Sequence, residues 1–186
     1  MQVVYLGKAP REFLADDWTV PPEPLYDQPM FAVDILFVFA GQQLEAGDRA
    51  RYELVETSGR PIVRVGAVLL PVNQERQPGN LLLVANYSQG EATIYEQWAT
   101  ERPRSNYVSV DCGFYDLIEK VAVSNKEVQL TMRRANGVPM TTHSGIKSTK
   151  THRKEEYVQL TDECWIRMDR ILSIDGTPAP GPGSAD

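Results

Sequence analysis

The chain has 186 residues, 42% hydrophobic and 24% charged, with a formal net charge of -6; that is enough apolar matter to close a core, in one sizeable domain or two small ones. The charge is uneven: residues 1 to 104 hold 14 acidic and 9 basic side chains, whereas residues 105 to 176 hold 10 of each. Neither half has the excess of Lys and Arg that a broad phosphate-binding face needs, which disfavours nucleic acid as the main partner.

In chain order, the opening "VVYLG" fits a short strand, and "WTVPPEPLYDQP" has too many prolines for helix or central strand. From residue 31, strand-like runs recur: 31–40, 49–56, 61–71, 80–87 and 91–99, separated by the turn-rich "EAGD", "TSGR" and "NQERQPGN". In 49–56, Ala50, Tyr52 and Leu54 alternate with Arg49, Arg51 and Glu53, as in a strand with one wet face. These patterns predict an antiparallel small β-barrel or sandwich as the N-terminal region, able to support self-association.

The polar "ATERPRSN" at 99–106 is the best internal boundary. After it, Asp111 is placed to cap a helix whose apolar stripe is Phe114, Leu117, Ile118 and Val121. Strands are expected at 127–135, 140–152, 155–161 and 164–176, and "TPAPGPGSAD" reads as a disordered tail. In the last strand, alternation puts Arg167 and Asp169 on one face, a pair that could fix the scaffold or read a ligand, the scaffold role being the simpler reading.

Motifs for chemistry are sparse. No phosphate-binding glycine loop of the P-loop or dinucleotide type occurs. The two histidines, His143 and His152, lie in a polar Thr-, Ser- and Lys-rich stretch and read as exposed; a metal site would need them to converge with a ligand such as Cys164. Cys112, beside a helix start, could form a thiolate with His143 as base and Asp116 as orienter, but reads more simply as a small buried hydrophobe. The expectation is no catalytic residue, no metal and no cofactor.

Asp116 and Glu119, three apart, share a helix face that is either solvated or suited to a basic partner. The basic alternative is Arg133, Arg134, Lys147, Lys150, Arg153 and Lys154, a possible RNA contact set. Two cysteines suit a reducing compartment; there is no basic leader with an apolar core and no run near the roughly 20 apolar residues of a membrane span. The expectation is a cytoplasmic protein with no membrane partner.

The blocks "YVSVDCGFYDLIEKVA", "EEYVQL" and "WIRMDRILSIDG", in that order within residues 107 to 176, resemble the Rho-binding antiterminator family, small bacterial proteins. The matching positions include Cys112, Asp116, Glu119, Arg167, Asp169 and Arg170. The resemblance implies a helix followed by an Sm-like bent β-barrel. It also implies a non-enzymatic regulator that docks on the RNA-binding domain of the transcription termination factor Rho and obstructs RNA entry.

Four segments are therefore expected in a mostly β protein: 1–30, a strand and Pro-rich connector; 31–104, a β-rich domain; 105–176, an Sm-like antiterminator-like domain; and 177–186, a disordered tail. The expected protein-binding residues are Asp111, Asp116, Glu119 and Lys120. An Sm-like RNA-binding module using the 133–154 basic residues is the alternative.

Overall fold

The computed structural model describes residues 1–14, 23–24, 30–39, 44–66, 80–87, 91–134 and 137–180. Strand outweighs helix among them, 37% against 29%, so the protein is mostly β. The chain divides into two compact units, Met1–Asn106 and Tyr107–Asp186.

The N-terminal unit is built on a five-stranded parallel sheet. Its strands are β1 (Val3–Gly7), β2 (Glu23–Pro24), β3 (Ile35–Phe39), β4 (Ile62–Val65) and β5 (Leu81–Val84), in the order β2-β1-β3-β4-β5. Helix α1 (Ala46–Thr57) joins β3 to β4, and α2 (Ala92–Thr100) follows β5. The "ILFVF" run of β3 is buried at all five positions, which requires cover on both faces. On one face Ile35, Phe37 and Phe39 pack with Val3, Phe13, Val63, Tyr95 and Ala99. On the other, Leu36 and Val38 pack with Val4, Leu6, Val55 and Ile62, with Tyr52 against them.

This corrects the antiparallel barrel or sandwich, and two predicted strands are helices. In α1 the half-buried Arg51 and Tyr52 and the buried Val55 recur at three- and four-residue spacing; the arginine on the inner face disguises that period as alternation. In α2, Tyr95 and Ala99 are buried and Trp98 half-buried, while Ile94 is 61% exposed, so the stripe is helical although Thr, Ile, Tyr and Trp favour strands. "EAGD" leads into α1 and "TSGR" leaves it, since parallel strands need crossovers rather than tight hairpins. Residues 1–30 do not stand apart, because β1 pairs with β3 along all five residues.

The polar edge at the start of the strands is locked by arginines. Arg60, 1% exposed, donates from Nε to the Val33 carbonyl at 2.8 Å. Asp34 accepts from the Gln2 amide at 2.7 Å and from Arg104 Nε at 2.8 Å. The Asn106 side chain donates to the Thr57 carbonyl at 3.0 Å, so the polar 99–106 stretch is fastened to its own unit.

Tyrosines carry a pH signature. Burial, then Glu56 beside it, pushes Tyr52 up to about 12 from 10.0; burial also raises Tyr95 and Tyr107, helped by hydrogen bonds to Glu91 and Glu156. For Tyr52 the unfolded chain ionises first, so its contribution to stability is complete below pH 10 and is lost as pH climbs towards 12. Among the eight tyrosines, tyrosinate absorbance should show Tyr52, Tyr95 and Tyr107 titrating above the ordinary value of 10.0, and Tyr52→Phe should soften the alkaline loss of stability. A single transition for all eight in folded protein would refute this.

The C-terminal unit starts with α3 (Cys112–Ser124). Seven strands follow: β6 (Val128–Arg133), β7 (Pro139–Ser144), β8 (Ile146–His152), β9 (Glu155–Leu160), β10 (Trp165–Arg167), β11 (Ile171–Ile174) and β12 (Thr177–Pro178). They form two antiparallel sheets, β12-β11-β6-β7 and β10-β9-β8. The chain passes from one sheet to the other at Gly145, where a Cβ would lie 2.9 Å from the Thr161 methyl. Phe114, Ile118 and Val121 of α3 join one core with residues of both sheets, among them Leu130, Ile146, Val158, Met168 and Ile171; each such side chain contributes about 1.5–3 kcal/mol by leaving water.

Two details differ from expectation. The sheets do not close into a barrel: a 3₁₀ turn at Met168–Arg170 interrupts the predicted last strand between β10 and β11. The predicted tail begins as structure, with Thr177 and Pro178 paired to β11 and the Ala179 amide bonded to the Leu172 carbonyl at 2.8 Å; residues 181–186 lie outside the described residues.

Candidate functional site

Asp111 starts α3. In extended backbone, φ -60° and ψ 146°, its Oδ1 accepts from the Gly113 and Phe114 amides at 2.8 and 3.2 Å, satisfying donors that a helix start leaves open. The helix ends at Asn125, φ 51°, a left-handed stop. With both ends and the Phe114–Ile118–Val121 stripe fixed, the opposite face is fixed too. At about 100° per residue, Cys112, Asp116, Glu119, Lys120 and Val123 fall within an arc of about 100°, and all five are exposed.

The structure thus brings Asp116, Glu119 and Lys120 together and gives Asp111 a capping role beside them. Among the described residues Asp116 and Glu119 make no hydrogen bond or ion pair. Val123, a full turn beyond Glu119, is 83% exposed. That apolar contribution to the face was readable from helical spacing, yet sequence reasoning missed it.

The basic set is divided between sheets. Arg133 and Arg134 lie at the end of β6; Lys147 and Lys150 lie on β8, with Arg153 and Lys154 in the turn to β9. All six are exposed. Lys147 is engaged, its Nζ 2.5 Å from Glu163 Oε1. Arg153 and Lys154 have φ of 50° and 69°, the left-handed pair that a two-residue hairpin turn demands and that Asn-Gly usually fills.

A second constellation is buried. Arg167, 6% exposed, donates from Nε and Nη2 to the two carboxylate oxygens of Asp169 at 2.6 and 2.8 Å. Its Nη1 lies 3.9 Å from Glu155 Oε1, and Glu155 accepts from the Tyr157 hydroxyl at 2.5 Å. The guanidinium also sits 5.6 Å from the centre of the Tyr107 ring, whose hydroxyl donates to Glu156. The pair expected on one strand therefore exists as a two-pronged bond across the end of β10 and the following turn, inside the protein. This geometry holds charges in place and rigidifies the end of β10.

Cys112 is exposed, which corrects its reading as a buried hydrophobe; Cys164 is also exposed. Burial of its thiol and the nearby Asp162 raise Cys164 above its ordinary value, the opposite of what a nucleophile needs. Among the described residues no group of three or more His, Cys, Asp or Glu side chains could hold a metal ion, and no helix is long and apolar enough to cross a membrane. Comparison of the chain with protein-family models, with curated proteins and with solved structures gave no match.

Proposed function

We propose that the chain is a non-enzymatic, cytoplasmic regulatory protein of bacteria whose C-terminal unit docks a basic partner through the outward face of α3. Rho is the partner that the resemblance of residues 107–176 implies, and inhibition of transcription termination is the corresponding activity. The observation that carries the reading is the unengaged Asp116 and Glu119 beside the 83% exposed Val123 on a helix anchored at both ends. Acidic groups steer encounter with a basic surface, and an exposed apolar residue beside them supplies area to bury. In support, α3 is followed by antiparallel strands, the helix-then-strand order that the resemblance implies.

The test is binding of the full chain to purified Rho across a salt series. Asp116→Lys/Glu119→Lys is expected to weaken capture by about tenfold or more, with circular dichroism unchanged because both side chains are exposed. Folded chain that fails to bind Rho at low salt sinks the reading.

RNA binding by an Sm-like module is the second reading. The observation favouring it is the exposed β8–β9 turn that presents Arg153 and Lys154 together. Single-stranded RNA binding that falls steeply with salt and is abolished by Arg153→Glu/Lys154→Glu would select it.

A further inference from the structure

We infer that the N-terminal unit holds a binding site for a phosphate-bearing small molecule, at the carboxyl ends of β1 and β3. Neighbouring parallel strands usually send their outgoing segments to the same face, so that the segments cover the edge between them. Where two neighbours send them to opposite faces, the edge between their carboxyl ends is left uncovered, and open parallel sheets bind ligands there.

The strands β1 and β3 are such a pair. They are hydrogen-bonded neighbours in parallel register from Val3↔Ile35 to Gly7↔Phe39. The segment leaving β1 turns through Arg11–Leu14 and buries Phe13 against Phe37, Phe39 and Tyr95, on one face. The segment leaving β3 becomes α1 and buries Val55 with Val4, Leu36 and Val38, on the other. The strand order β2-β1-β3-β4-β5 therefore has its switch of direction between β1 and β3.

The chain at that edge is shaped for close approach. Gly7 has φ +82°, and a Cβ on it would lie 2.6 Å from the Phe39 carbonyl oxygen, so the two strand ends are drawn together without an intervening side chain. Lys8 follows it directly and Arg11 opens the turn four residues on, both exposed and, among the described residues, without an ion pair. In a unit whose residues 1 to 104 carry an excess of acid, two cations that are without an ion pair among the described residues and follow one strand select an anion, and the phosphate group is the anion that such edges accommodate. The docking face of α3 belongs to the other unit, so this inference stands or falls without it.

The test is amide NMR of the full chain titrated with adenosine 5′-monophosphate, inorganic phosphate and adenosine. Saturable shifts are expected at Gly7, Lys8 and Ala9 with the monophosphate and not with adenosine. Lys8→Ala and Arg11→Ala, at exposed positions that leave the fold intact, should each weaken that binding by about tenfold. Three results would overturn the inference. One is no phosphate-dependent shift at Gly7 to Ala9. Another is binding indifferent to both substitutions. The third is inorganic phosphate and the nucleotide binding equally weakly, an adventitious anion only.

Discussion

Arg167→Ala is expected to lose about 3–5 kcal/mol of the C-terminal unit's stability, the usual result of removing one partner from a buried ion pair. The side chain is 6% exposed and answers two carboxylates, Asp169 through a two-pronged bond and Glu155 at 3.9 Å. Without it Glu155, 3% exposed, keeps the Tyr157 hydroxyl but loses the guanidinium charge, and Tyr107 loses the cation beside its ring. Denaturant unfolding followed through Trp165, which lies on β10 beside Arg167, measures the loss. A change below about 1 kcal/mol, the range of ordinary surface substitutions, would mean that solvent already screens the network. Replacing Arg167, Asp169 and Glu155 together by apolar residues of similar volume should recover much of the loss, since neither carboxylate is then left without the guanidinium.

Gly7→Ala should destabilise the N-terminal unit by about 2–4 kcal/mol, combining the left-handed backbone, about 1–2 kcal/mol for an L-residue, with overpacking. The obstruction is the Phe39 carbonyl, a backbone atom of the buried central strand, at 2.6 Å from the new methyl, and it cannot rotate aside as a side chain could. Thermal unfolding monitored through the helical signal is the measurement. An unchanged midpoint would show that β1 and β3 separate at this end without penalty. Gly66→Ala is the matched control: it has φ +72° but nothing within 4 Å, so it bears the backbone term alone.

The C-terminal unit was legible because its signals are local. Asp111 precedes a helical stripe and does cap it; the alternation of β6, buried at Val128, Leu130 and Met132, is that of a strand with one wet face. The N-terminal unit was not, because its helices are partly masked by arginines and β-formers, and because a continuous run such as "ILFVF" says that both faces are covered without saying by what. For the site, the spacing of Asp116 and Glu119 was sufficient to place them on one face. The burial of Arg167 was not deducible in the same way: it lies opposite Tyr157 only through the pairing of β9 with β10 and beside Tyr107 from 60 residues earlier.

The parallel order of the first sheet also governs when each part of the chain can form. Its ladders join residues separated by between 19 positions, Val4 to Glu23, and 32, Val3 to Ile35, whereas β8 and β9 meet across three, His152 to Glu155. Loops must close before such distant pairs reward them, so the first sheet has no short-range ladder to start from, whereas the C-terminal unit can start at the β8–β9 hairpin before closing its β6–β11 ladder across 39 to 44 positions. Until β1 and β4 arrive on either side of it, the fully apolar Ile35–Phe39 segment has two bare edges and no cover. That interval during synthesis is when the nascent protein is most open to aggregation and to capture by a chaperone.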